Sequence, residues 1–267
     1  MSTAIKVASF NLKHDSPLCR GNRWEQRRDL VTQIIQQSGA AVIGVQEMMP
    51  AMKEDLRLRL EGYDFLGVGR TKKLTDEQSA ILVRRDSARA ESVRTFWLSK
   101  HPDKQGSRAY YAVFPRICTV SEIYINAWGR KIRVFNTHFD HICAPARTLS
   151  VRLILETMYR LNQREALPTL LMGDLNAGPH SKAIRILTEN RHSYPGLHLV
   201  SLYEATGASS IRSTYHSFRG RERRAPIDYM FLSDEFQVKG AYVNTFRQDG
   251  RYPSDHYPLV ALLELKA

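Results

Sequence analysis

The sequence predicts an α/β protein of the α+β kind, with two mixed β-sheets and helices outside them. Three observations point there. Short apolar runs of strand length recur along all 267 residues. About four stretches place apolar residues at helical spacing instead. The two kinds do not follow the strict β-α-β order of a parallel sheet. No repeat, low-complexity tract or long linker divides the chain, so residues 1–267 are expected to form one domain around one large core.

Ile5 to Asn11 alternates and stops at a polar residue, as a strand feeding a loop does. Residues 12–23, with Pro17 and Gly21, read as that loop. From Trp24 to Gln37, Leu30, Val31, Ile34 and Ile35 fall at helical spacing, and Gly39 supplies a stop. Ala41 to Glu47 is a second buried strand ending in an acid, and Pro50 opens a helix to Leu60. Strands are expected at 63–68, 79–83, 92–98, 110–120 and 122–126, with a polar loop at 99–108. Trp128-Gly129-Arg130 turns the chain into a strand at 131–136. Ala146 to Gln163 is the clearest helix, with Leu149, Leu153, Leu155, Met158 and Leu161 giving it an apolar side. Leu170-Leu171-Met172-Gly173 reads as a buried strand. Ser181 is a plausible N-cap for a helix to Glu189. Strands at 215–218, 227–232, 238–246 and 259–265 close the chain.

The composition is that of a folded globule, with 43% hydrophobic residues, 12 Tyr and 10 Phe. Thirty-nine Lys and Arg against 27 Asp and Glu leave +12, a surplus that favours an anionic partner. Cys19, Cys118 and Cys143 are odd in number and lack metal-site spacing, so no disulfide framework is expected. Neither a signal peptide nor an apolar run of membrane-spanning length is visible. A cytoplasmic protein is therefore expected, without stable membrane association and with no protein partner inferred.

Five segments share one grammar: an apolar strand followed at once by groups that bind metals or phosphates. They end at Asn11, at Glu47, at residues 136–141 (Asn-Thr-His-Phe-Asp-His), at residues 173–176 (Gly-Asp-Leu-Asn), and at residues 252–256 (Tyr-Pro-Ser-Asp-His). A sixth, Pro226-Ile227-Asp228-Tyr229, places an acid early in a strand. Any one has a bland reading as an Asx turn or a helix start. Six, scattered through the chain, are hard to dismiss. Hard oxygen ligands such as Asn11 and Glu47 suit Mg²⁺, with Mn²⁺ possible, whereas zinc-site spacing is absent. A carboxylate such as Asp174 can deprotonate an attacking water. A histidine bonded to an acid is held in one tautomer and favoured as imidazolium.

Taken in order, these motifs resemble the endonuclease/exonuclease/phosphatase superfamily of metal-dependent phosphoesterases, over residues 5 to 265. The resemblance implies a four-layer α/β/β/α sandwich of the DNase I type, with the site at one end. It implies that Asn11 and Glu47 hold the metal, with Asp255 beside metal and water. His138 would contact the phosphate, Asp174 would orient or activate the water, and Asn176 would steady the phosphate or nucleophile. His256, paired with Asp228, would stabilise the transition state. Asp140, His141 and Arg147 resemble a bacterial branch of the family and are expected to line the pocket, although Arg147 at a helix start could equally serve a salt bridge.

The superfamily acts on nucleic acids, inositol phosphates and phospholipids, so fold does not choose the substrate. His138 stands where apurinic-site endonucleases resembling exonuclease III usually carry Tyr, which argues against abasic-DNA repair. Arg219, Arg221, Arg223 and Arg224 cluster near Tyr215 and Phe218; Arg20, Arg23, Arg27 and Arg28 follow the Asn11 loop; Arg116 is a further candidate for holding a phosphate. Arginine forks beside aromatics suit a nucleic-acid strand. The expectation is Mg²⁺-dependent hydrolysis of phosphodiester bonds in nucleic acid by an activated water. The alternative is a phosphatase or phospholipase C-type enzyme on a small phosphorylated compound or lipid headgroup. A binding module without turnover is a third reading.

Overall fold

The computed structural model describes residues 4–19, 21–190, 193–207, 213–221 and 225–266. The first half of the chain forms β1 (Ile5–Asn11), α1 (Trp24–Ser38), β2 (Val42–Met48), α2 (Pro50–Arg59), β3 (Tyr63–Leu66) and β4 (Gln78–Arg84). Then come β5 (Ala88–Trp97), β6 (Ile117–Ile125), β7 (Arg130–His138), α3 (Ala144–Asn162) and β8 (Thr169–Asp174). The chain closes with α4 (Lys182–Thr188), β9 (Leu199–Ser201), α5 (Leu202–Ala205), β10 (Asp228–Ser233), β11 (Phe236–Val243) and β12 (Leu259–Leu265).

These strands make two six-stranded sheets, ordered β11-β12-β1-β2-β4-β3 and β5-β6-β7-β8-β10-β9. Each sheet is mixed, because β1–β2 and β7–β8 run parallel while the other pairs are antiparallel. Side chains alternate faces along a strand, and the core shows it. On the outer face of the first sheet, Ala8, Phe10, Ile43, Val45 and Leu82 pack with Trp24, Val31, Ile34, Ile35, Met52 and Leu56 of α1 and α2. Their neighbours Val7, Val42, Ile81 and Val83 instead join one cluster with Phe135 and Leu171 of the second sheet and Ile154, Leu155 and Met158 of α3. The result is the expected α/β/β/α layering. A Cβ on Gly44 would lie 2.5 Å from Met172 Sδ and 2.7 Å from Asn136 Oδ1, so glycine lets the sheets meet closely here.

The structure corrects three elements. The strands expected at 110–120 and 122–126 are one strand, β6, whose pairing begins at Trp97↔Ile117. Residues 109–116 form a loop, seated by Ala109 and Ala112 on Ala146 of α3. Tyr215 makes only an isolated bridge to His256, because Ser217 and Phe218, at φ 53° and 57°, turn the chain. The short β9 and α5 carry too few residues to show a period, and the sequence does not announce them.

Candidate active site

Strand pairing carries the polar strand ends to one place. β1 and β2 run parallel with Asn11 opposite Gln46, so both stop at the same edge. β7 and β8 do the same in the second sheet, with His138 opposite Asp174. An antiparallel neighbour starts where these strands stop. Asp228 of β10 therefore stands opposite Asp174, and Gln78 of β4 opposite Met48, which places Glu77 at this edge too. β12 begins beside Ser9, so residues 254–256 arrive at the same end. The two sheets are sewn together there by polar groups. Gln46 Nε2 donates to Asn136 Oδ1 at 2.7 Å, and Asn136 Nδ2 donates to the carbonyls of Val45 at 2.9 Å and Ala80 at 2.7 Å.

Local backbone conformations aim the side chains. β2 is bulged between Val45 and Met48, and Glu47 sits there at φ 58°, a left-handed conformation costly for a non-glycine residue. Gly173 has φ 147°, and a Cβ on it would meet Thr137 O at 2.0 Å. Only glycine therefore allows β8 to bring Asp174 into register with His138. Asn176, at φ 46°, donates its backbone N–H to Asp174 Oδ1 at 2.9 Å and its amide to Phe139 O at 3.1 Å.

A cavity of about 770 Å³ opens over this edge. Glu47, Arg116, His138, His141, Asp174, Asn176, Tyr215, Asp255 and His256 line it. Of the expected site residues, Asn11 and Asp228 lie just beneath. Asn11 Nδ2 donates to Glu47 Oε1 at 2.9 Å and to Asp174 Oδ2 at 3.1 Å, while its own Oδ1 accepts from Lys13 N at 2.9 Å. Asp228 Oδ2 accepts from Thr214 and lies 2.8 Å from His256 Nδ1. Asp140 and Arg147 do not reach the lining. Asp140 Oδ1 is taken up by the N–H groups of Ile142 (2.9 Å) and Cys143 (2.6 Å), and the Arg147 guanidinium donates to Asp140 O at 2.8 Å. Both hold the loop that starts α3.

Several lining residues were not anticipated. Lys13 Nζ lies 4.0 Å from Glu47 and 3.5 Å from Asp255. His14 donates its N–H to Glu47 Oε2 at 3.0 Å and brings Nδ1 to 2.5 Å from the same oxygen. Glu77 is reached by Arg70 at 2.9 Å, by Arg116 at 3.9 Å and by His138 at 4.0 Å. A signal existed for Glu77, an acid just ahead of an apolar strand, the same arrangement read at Asp228. Lys13, His14 and Arg70 lie on loops, where no periodicity marks them.

The electrostatics separate the two histidines. Burial and the nearby Arg116 push His138 well below its usual value, which favours the neutral imidazole. Burial also opposes charge on His256, but Asp228, by charge and hydrogen bond, with Asp174 behind it, raises it to about 10. Burial and the Asp228 charge lift Asp174 to about 7. Glu77 is raised by burial, which Arg70 only partly offsets, and Glu47 adds to the rise. Buried carboxylates that crowd one another in this way form a donor set suited to a hard cation. His14, Glu47 and Glu77 offer ligand atoms within 4.8 Å of one another and could hold a metal ion; Asp174, Asp228 and His256 lie as close, but His256 as imidazolium has no lone pair to give one.

Residues 8–256 match the model of the Endonuclease/Exonuclease/phosphatase family. No curated protein matches the chain. Among solved structures it is similar to a family protein from Bacteroides vulgatus at 30% identity and a TM-score of 0.89, covering 99% of this chain and 100% of that one. It is similar to a mannosyl-6-phosphatase from Bacteroides thetaiotaomicron at 31% identity and a TM-score of 0.88, covering 98% and 100%. A D. rerio TDP2 complexed with single-strand DNA product shares the fold at 16% identity and a TM-score of 0.74, covering 98% and 100%. The family match over most of the chain, the doubled mixed sheets and the polar groups gathered at one edge agree, and the chain belongs to the endonuclease/exonuclease/phosphatase family of phosphoester hydrolases.

Proposed function

We propose that the chain hydrolyses a phosphomonoester of a small compound, with a sugar phosphate as the best-supported class, in the cavity over Asp174 and His256. The observation that carries this reading is the pair of buried guanidinium groups, Arg70 and Arg116, in the wall of a cavity of about 770 Å³. That volume falls in the range that small ligands occupy. Similarity to the mannosyl-6-phosphatase supports the same class. Nucleic acid is the second reading, favoured by the +12 charge and by the fold shared with TDP2.

Asp174, Oδ2 facing His138 and His256 at 3.7 and 3.8 Å, takes the proton of the attacking water. Neutral His138, Asn176 and Arg116 hold the phosphoryl oxygens. The His256 imidazolium, fixed by Asp228, faces the negative charge that grows on those oxygens. Glu47, with Asp255 beside it, would hold Mg²⁺, for which Mn²⁺ could substitute; Asn11, expected as a ligand, turns its Oδ1 to Lys13 N and would instead brace Glu47 through Nδ2. The ion, when bound, supplies Lewis-acid stabilisation of a phosphoryl oxygen. The test is a panel of phosphomonoesters and phosphodiesters assayed with Mg²⁺. Release of phosphate from hexose phosphates, stopped by EDTA and reduced about 10²–10⁴-fold in kcat by Asp174→Asn, is the expected result. Nicking of plasmid with the monoesters left intact would overturn it in favour of the second reading.

A further inference from the structure

Phe114, 42% exposed, stands in the cavity wall with Tyr215 and Ile227, among carboxylates, guanidinium groups and imidazoles. It lies on the loop at 109–116, where the sequence had promised a strand, and that loop also exposes Tyr110 at 75% and Tyr111 at 76%. Tyr111 is held at φ 67°, an uncommon conformation for an aromatic residue. The loop is nonetheless anchored, through Ala109 and Ala112 on Ala146 of α3. Phe114 itself rests on Arg70, whose guanidinium carbon is 4.9 Å from the ring centroid.

Arg70 is fixed in turn. Its guanidinium pairs with Glu77 at 2.9 Å and Asp76 at 3.4 Å, and its carbonyl accepts from Trp97 Nε1 at 2.6 Å. The phenyl ring is thus mounted on a rigid support, beside the groups that take the phosphate. A rigid apolar face offers nothing to a phosphate. Its complement is a ring, either an aromatic one or the C–H face of a sugar, stacked flat against it.

Resting on the phosphoester reading above, we propose that Phe114, backed by Arg70, is a specificity-determining residue that receives the ring of the substrate's leaving group. The matched probes are phenylphosphonate and methylphosphonate, which carry the same anion with and without a ring and have no ester to cleave. Calorimetric titration in Mg²⁺ should show the native protein binding phenylphosphonate about tenfold more tightly, equivalent to about 1.4 kcal/mol. Phe114→Ala should erase that ratio while leaving methylphosphonate affinity and the melting temperature unchanged. Phe114→Trp should restore it. A ratio untouched by Phe114→Ala, equal weakening of both phosphonates, or no ring preference in the native protein would overturn the proposal. Ring preference lost in Phe114→Ala, in a native protein that cleaves no phosphomonoester, would uphold the stacking wall and sink the phosphatase reading alone.

Discussion

His256 stands between two acids, with Nδ1 2.8 Å from Asp228 and Nε2 3.8 Å from Asp174, and its proton depends on both. The folded protein keeps that proton to about pH 10. Activity that needs the imidazolium therefore holds below that value and falls as pH rises through it. Asp228→Asn removes the charge that does most to raise His256, so the alkaline limb of the kcat–pH profile should move to lower pH; a limb left in place would show that another group titrates there. The residues of the site were readable because each lies beside an apolar run: Asn11, Glu47, His138, Asp174 and Asp228 are at or next to strand ends, while residues 252–256, expected to follow a strand, instead precede β12. Asp140, in one of these motifs, and Arg147, in the first turn of α3, serve the backbone instead, because loop amides and carbonyls need partners and polar side chains nearby supply them. Lys13, His14 and Arg70 needed the third dimension, since nothing in a loop's sequence says which way it folds over the cavity.

Elements owe their positions to a few backbone demands, and β8 shows the sharpest. Thr137 pairs with Gly173 and His138 with Asp174, so the β7–β8 register is also the register of the site. Gly173→Ala would drive a Cβ to within 2.0 Å of Thr137 O at a φ of 147° that alanine avoids. The expected cost is about 1–3 kcal/mol, read as a lower urea midpoint with an unchanged m-value, accompanied by loss of turnover. An alanine variant as stable and active as the parent would mean that β8 can shift without harm. The strands were legible because their apolar runs are buried on both faces, as in β2 and β8. The stretch at 110–116 misled for a related reason. Tyr, Val and Phe favour strands, but here the loop anchors on α3 through its two alanines and leaves those aromatics exposed.

At the scale of the whole molecule, the question is where the +12 charge resides. Part of the basic content is committed to nearby acids. Arg23 is bonded to Asp15 at 2.6 Å, Arg59 to Asp29 at 2.6 Å and Asp55 at 2.9 Å, Arg85 to Asp64 at 2.7 Å, and Arg94 to Asp103 at 2.6 Å. Arg27, expected beside the Asn11 loop as an anion contact, is buried and spends its guanidinium on the carbonyls of Asn22, Leu12, Lys13 and Pro253. Arg20, Glu222, Arg223 and Arg224 lie outside the described residues. Within the cavity, Lys13, Arg70 and Arg116 are interleaved with Glu47, Glu77, Asp174 and Asp255. The proposed function needs a local grip on one phosphate, whereas the nucleic-acid reading needs a surface that tracks many, and ionic strength separates the two. A chain that neutralises six or more phosphates loses about 10³-fold or more in affinity between 50 and 200 mM salt. A small ester gripped by buried guanidinium groups is screened far less, so its kcat/KM should change by less than about threefold over that range. A fall in kcat/KM as steep as that of a phosphate-tracking protein would instead place the substrate along the surface, and would return nucleic acid to first place.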